Sequence, residues 1–181
     1  MLLHAQTSLL LLVDLQDKLL QTLPPAPRNA MLGVIQRLAQ GSRILAIPQL
    51  ATAQYPQGLG AVREEFRQSA ATVLEKTAFS CHRDPAIRQW LEQQAGRRQV
   101  VLVGVEAHIC ILQTALDLQS HGWSPVVVED ACAARDPAHG ANAMMRLRQA
   151  GVCIANGESV LYEWLGDAAH PAFKTLAPLL R

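Results

Sequence analysis

Short apolar runs alternate with amphipathic stretches of helical period along the whole chain, and this alternation constrains the fold more than any other feature. The runs rich in Val, Ile and Leu fall at residues 8–13, 43–47, 99–103 and 125–128, with weaker ones at 71–74 and 151–155. Between them, residues 30–39, 85–94, 110–119 and 138–150 gather their apolar side chains on one helical face. Strands that alternate with helices imply parallel strands joined by crossovers, and nearly continuous apolar strands imply a sheet covered on both sides. The expected fold is α/β: a three-layer α/β/α sandwich with a mostly parallel six-stranded sheet of Rossmann-like topology.

Turn residues support these boundaries. Pro24-Pro25-Ala26-Pro27 is expected to separate the first strand region from the first long helix, and Gly41 to end that helix. Gly96, Gly122 and Gly151 fall where a helix should hand over to a strand. Pro85 and Pro137 suit first-turn positions, each behind an acidic N-cap candidate, Asp84 and Asp136. The tail is expected to hold helices at 159–165 and 171–180, made sticky by Tyr162, Trp164, Phe173 and Leu176. Gly58-Leu59-Gly60 begins a G-x-G but lacks the third glycine of a dinucleotide loop.

At 181 residues, 50% of them hydrophobic and 17% charged, the chain suits one compact domain, 1–181. A net charge of +1 and no Lys/Arg run argue against a nucleic-acid partner or an anionic membrane, leaving a small molecule as the expected ligand. Residues 9–13 are apolar but too short for a membrane span and lack the basic flank of a signal peptide, so a cytoplasmic location is expected. Cys81, Cys110, Cys132 and Cys153 show no C-x-x-C spacing, and the six histidines form no short ligand pattern; no metal site is signalled and no cofactor is expected.

In an open parallel sheet, ligands bind beyond the carboxyl ends of the strands. Asp14, Gln54 with Tyr55, Lys76 and Cys110 stand there in order. A helix start favours thiolate at Cys110, and a carboxylate, an ammonium and a thiol on one rim suit nucleophilic attack on a carbonyl. Simpler roles compete at each position. Asp14 could cap a helix, Lys76 could be a solvated lysine or a partner of Glu75, and Cys110 could be core. Glu106 reads most simply as a solvent-facing loop acid, His108 as a surface residue, Cys153 as core, and Cys132 as small-residue packing near the same rim.

Three ordered motifs, Leu12-Val13-Asp14-Leu15-Gln16, Glu75-Lys76-Thr77-Ala78-Phe79-Ser80 and Gly104-Val105-Glu106-Ala107-His108-Ile109-Cys110, resemble the isochorismatase-like cysteine hydrolases. The segments Ala53-Gln54-Tyr55-Pro56-Gln57-Gly58-Leu59-Gly60 and Gly166-Asp167-Ala168-Ala169-His170-Pro171-Ala172-Phe173-Lys174 resemble most the isochorismatase domain-containing branch. The resemblance implies a catalytic triad of Asp14, Lys76 and Cys110, and a cis peptide at Val105-Glu106. It also implies an oxyanion hole from the N–H groups of Cys110 and of Glu106 or Ala107. Gln16, Gln54, Tyr55 and Phe79 become pocket candidates. Nicotinamidases of the superfamily carry a D-x-H metal motif where this chain reads Ala51-Thr52-Ala53-Gln54-Tyr55, so a metal-dependent amidase is the less favoured alternative. The resemblance further implies a hydrolase of a small amide or related acyl compound working through a thioester, and a homo-oligomer of at least two copies. A non-catalytic binding or scaffold protein on the same fold is the competing reading.

Overall fold

The computed structural model describes residues 1–180. In chain order the strands and helices begin β1 (Ser8–Val13), α1 (Asp17–Leu20), α2 (Pro25–Ile44), β2 (Gln49–Gln54), α3 (Pro56–Leu59), α4 (Glu64–Ala70), β3 (Val73–Lys76) and α5 (Pro85–Glu92). They continue with β4 (Gln99–Val105), α6 (Leu112–Ser120), β5 (Ser124–Ala133), α7 (Pro137–Gln149), β6 (Cys153–Ala155), α8 (Gly157–Leu165) and α9 (Phe173–Leu176). The six strands form one sheet in the order β3-β2-β1-β4-β5-β6, and every neighbouring pair is parallel.

The period-two geometry of the strands divides the core in two. Leu10, Leu12, Val101, Val103 and Val126 face one layer, where they meet Ile35 and Leu38 of α2, Phe66 of α4 and Trp164 of α8. Leu9, Leu11, Val100, Leu102 and Val127 face the other, against Ile87 and Leu91 of α5, Leu118 of α6 and Leu147 of α7. The all-leucine stretch of β1 is thus central and buried on both faces. Asp84 and Asp136 accept N–H bonds from the first turns of α5 and α7, the capping roles their positions imply. Gly96, Gly122 and Gly151 take positive φ at the ends of their helical segments.

Several boundaries differ from the sequence reading, three of them around α2. Residues 43–47 are not a strand: Arg43 and Ile44 close α2, and the second strand begins at Gln49, whose side chain donates to the Ala39 carbonyl at 2.9 Å. The apolar face of Ile35 and Leu38 carries the helix only to Ile44; Leu45 caps it, and Ala46, at φ 53°, turns the chain towards the strand. Gly41 does not end the helix either. A Cβ there would lie 2.4 Å from Leu161 Cδ2, so the glycine lets α8 approach α2 closely. Pro25, finally, opens α2 at N1 instead of belonging to a separating linker. The Gly58-Leu59-Gly60 segment has a local explanation: the Tyr55 ring lies over Gly58, and a Cβ there would come within 2.6 Å of Cε1. Among the described residues, no helix is long and apolar enough to cross a membrane.

Candidate active site

Strand order reverses between β1 and β4, so a crevice opens at their carboxyl ends. Asp14 leaves β1 there with φ 54°, and its side chain is held from two sides. Thr52 Oγ1 at the end of β2 donates to Oδ1 at 2.7 Å, and Lys76 Nζ at the end of β3 donates to Oδ2 at 2.8 Å. Both side chains of this ion pair are fully buried. Lys76 Nζ also faces Gln54 Oε1 at 2.6 Å and the Ala78 and Phe79 carbonyls at 3.3 Å each. Its remaining neighbour is the sulfur of Cys110, at 3.7 Å. Asp14, Lys76 and Cys110, more than sixty residues apart at the first step, therefore meet in one buried cluster.

Cys110 sits in a π-helical turn, Ala107–Ile111, that leads into α6. The Val105–Glu106 peptide before it is cis. Gly104 makes the approach possible: its φ is +124°, and a Cβ would fall 2.1 Å from the Val13 carbonyl oxygen. Only glycine lets β4 run this close to β1 just ahead of the turn. Glu106 is buried and holds the turn to the β5–α7 connection, accepting from the Arg135 N–H at 3.0 Å and from Arg135 Nη1 at 3.1 Å. The Glu106 carbonyl accepts from both the Ile109 and Ile111 N–H groups, which orients the start of the turn.

Electrostatics make this a neutral thiol beside an ion pair. Burial pushes the Cys110 thiol well above its ordinary range, and the Asp14 charge adds to the push, while Lys76 opposes it. The expectation that a helix start would favour thiolate is therefore corrected: desolvation and a nearby carboxylate outweigh the helix end. Burial acts to lower the Lys76 pKa, but coulombic coupling to Cys81, Asp14 and Cys110, of which only Asp14 is charged at neutral pH, outweighs it and holds the pKa above its usual value. Cys81, wholly buried 4.0 Å from Thr52 Oγ1, is pushed up to about 11 by burial.

Several site candidates take roles different from those expected. Gln16 lines no open surface: it is buried, it donates to the Gln54 and Gly60 carbonyls at 3.0 and 2.6 Å, and it accepts from the Gln54 N–H at 2.8 Å. It braces the β2–α3 connection. Gln54 is likewise spent, between Lys76 and the Thr77 carbonyl. Tyr55 and Phe79 remain exposed, at 52% and 53%, on the outer rim. Glu106 is a buried clamp and not a solvent-facing acid, Lys76 pairs with Asp14 and not with Glu75, and Cys153 is only half-buried. Sequence reasoning missed Thr52 and Arg135. A threonine at a strand end opposite an aspartate was a usable signal for the first; a long-range arginine gives none.

An ammonium paired to a carboxylate beside a thiol can move a proton and offset developing negative charge. Among the described residues, no group of three or more His, Cys, Asp or Glu side chains is arranged to hold a metal ion.

Fold and residue pattern agree with what comparison finds: the chain belongs to the isochorismatase family, whose domain model matches residues 8–159. Its relatives lie in the isochorismatase domain-containing branch. The Pongo abelii isochorismatase domain-containing protein 2 is 38% identical over 175 residues, covering 97% of this chain and 83% of that one. Among solved structures, the MAR1 ribonuclease of Caenorhabditis elegans superposes with a TM-score of 0.91 at 31% identity, over 99% of this chain and 92% of that one. The Escherichia coli YcaC gene product, described as an octameric hydrolase of unknown specificity, shares the fold with a TM-score of 0.87 at 22% identity, over 98% of this chain and 88% of that one. Membership of this family supports a hydrolase-type role.

Proposed function

We propose that this protein is a cysteine hydrolase of a small amide or related acyl compound, with Asp14, Lys76 and Cys110 as its catalytic triad. The observation that carries the proposal is the Lys76 ammonium held between the Asp14 carboxylate, at 2.8 Å, and the Cys110 sulfur, at 3.7 Å. Cys110 attacks the carbonyl carbon as its proton passes to Asp14, so the raised thiol pKa means deprotonation coincides with attack. The oxyanion is stabilised by N–H groups of the turn, among them Ala107, whose first-turn position leaves it without an intrahelical acceptor. Collapse breaks the C–N bond, and the amine leaves with the proton from Asp14. Water then attacks the thioester and gives its proton to Asp14; the C–S bond breaks, the acid departs and the sulfur takes the proton back. Lys76 stays charged throughout and offsets the negative charge.

A small substrate fits the charge distribution. The net charge is +1, and the Lys76 cation is committed to Asp14. The C. elegans neighbour bears the name of a ribonuclease, so RNA belongs in the test as a competing substrate. Self-association and a cytoplasmic location complete the reading, the first favoured by exposed Tyr55, Phe79, Met145 and Tyr162. The test is turnover of a panel of small primary amides, read as ammonia release, beside RNA cleavage. Amide turnover that disappears in Cys110→Ala and in Asp14→Asn is the expected result. RNA cleavage without amide turnover, or amide turnover that survives Cys110→Ala, would refute it.

A further inference from the structure

On the β5 side of the turn lies a cleft of about 340 Å³ that none of the triad residues lines. Its walls come from three connections at the carboxyl edge of the sheet. Leu23 and Pro24 lead into α2 and Pro27 lies in its first turn, Cys132 and Ala133 end β5 and Ala134 follows it, and Pro137, Gly140, Ala141 and Met144 belong to α7. Ala107 is the residue it shares with the cysteine turn. The volume lies at the small end of the range for small-molecule sites, roughly 300–1,000 Å³.

The chemistry of these walls restricts an occupant. Glu129 is the ionised group among them, and its carboxylate is taken by Arg148. Burial holds the Cys132 thiol neutral, pushing it up to about 12. Nothing in the cleft therefore balances a charged ligand, and burying an unpaired charge there is costly. A site that is small, apolar and without a free ion suits a neutral hydrocarbon group. The position adds the second restriction. Ala107 precedes Cys110 by three residues in one π-helical turn, so the wall of the cleft and the sulfur belong to the same short segment. On the other side of the sulfur the polar groups of Gln54, Thr52 and Lys76 are already hydrogen-bonded.

We infer that this cleft is the acyl-chain site of the hydrolase, taking the uncharged aliphatic or aromatic part of a short acyl amide whose carbonyl lies at the turn. The inference rests on the proposed function for the identity of the ligand as an acyl compound. Charged acyl groups, such as those of dicarboxylic or amino acids, are excluded by the same walls. Gly140 offers a way to fill the site. It lies inside α7, and a Cβ there would meet Ala134 Cβ at 3.6 Å, an ordinary contact, so a larger side chain grows into the cleft without forcing the backbone.

The four alanines of the wall, Ala107, Ala133, Ala134 and Ala141, are built-in reporters. Alanine-methyl NMR of the Cys110→Ala protein, titrated with acetamide, butyramide, hexanamide, hexanoate and hexylammonium, tests the inference without turnover. Hexanamide should shift these four methyls. Affinity should rise roughly three- to fourfold per buried methylene from acetamide onward. Hexanoate and hexylammonium should bind at least about tenfold more weakly, and Gly140→Leu should remove the hexanamide shifts. Unmoved cleft methyls, equal binding of the charged probes, or hexanamide shifts that survive Gly140→Leu would overturn it. So would a loss of oligomer mass in Gly140→Leu, which would make the cleft a contact with a second copy. The two proposals fail separately: binding here with no Cys110-dependent turnover refutes the triad alone, and turnover with unmoved methyls refutes the acyl-chain site alone.

Discussion

The two sides of the crevice are built on opposite principles. On the β1–β2–β3 side, Asp14, Thr52, Gln54 and Lys76 are buried, and their side chains are bonded to one another or to nearby backbone. On the β4–β5 side, mostly small apolar residues line an open cleft. One side fixes charges in place, as proton transfer requires, and the other leaves room. The difference separates residues suited to reaction from residues suited to recognition, with the Cys110 turn between them.

The largest expected effect falls on the charged side. Lys76→Met strands a buried carboxylate and should cost about 3–5 kcal/mol in urea unfolding, with most of that recovered in the Asp14→Asn, Lys76→Met double variant. Equal losses in the single and double variants would mean that the pair is not coupled. Thr52→Val should cost about 1.5–3 kcal/mol by removing a hydrogen bond to a charged group, with turnover reduced more than substrate affinity, because the reacting carboxylate loses an anchor. An unchanged unfolding curve would exclude that anchoring role.

Alkylation probes the boundary between the two sides. The Cys110 pKa is raised, so thiolate is scarce at neutral pH and iodoacetamide labelling of Cys110 should climb only at alkalinity above that needed for an ordinary thiol. Asp14→Asn removes a negative charge that disfavours thiolate, so labelling at neutral pH should accelerate by about tenfold while turnover is lost. Slower labelling in Asp14→Asn would reverse the sign of the proposed electrostatics. The smallest effect lies in the cleft: Gly140→Ala should stabilise α7 by up to about 1 kcal/mol, since it gains helix propensity at a site with room for a methyl group. A loss of stability would show that the wall is more tightly packed than these distances imply.

The fold was legible where local signals and tertiary packing agree. The apolar run of β1, the Asp-Pro starts of α5 and α7 and the glycines at helix ends each announce their role within a few residues. The second strand was not legible, because the apolar run 43–47 reads as a strand while the chain uses it for the last residues of α2 and the turn at Leu45-Ala46 that leads to Gln49. At the site, strand ends pointed to Asp14, Lys76 and Cys110, and the geometry brings those three together. The pairing of Glu106 with Arg135 and of Gln16 with the β2–α3 connection depends on contacts between distant segments, and spacing carries no trace of them. The sign of the Cys110 shift was also hidden, since it depends on burial, which a local reading of helix ends leaves out.

The central claim is a covalent acyl-enzyme on Cys110. Intact-protein and peptide mass spectrometry, on samples quenched in acid during turnover of the best amide found, addresses it directly. The expected result is the mass of one acyl group on the peptide containing Cys110, removed by hydroxylamine and absent from Cys110→Ala. An acyl group on Cys81, Cys132 or Cys153 instead, or steady turnover in Cys110→Ala with no adduct, would contradict it.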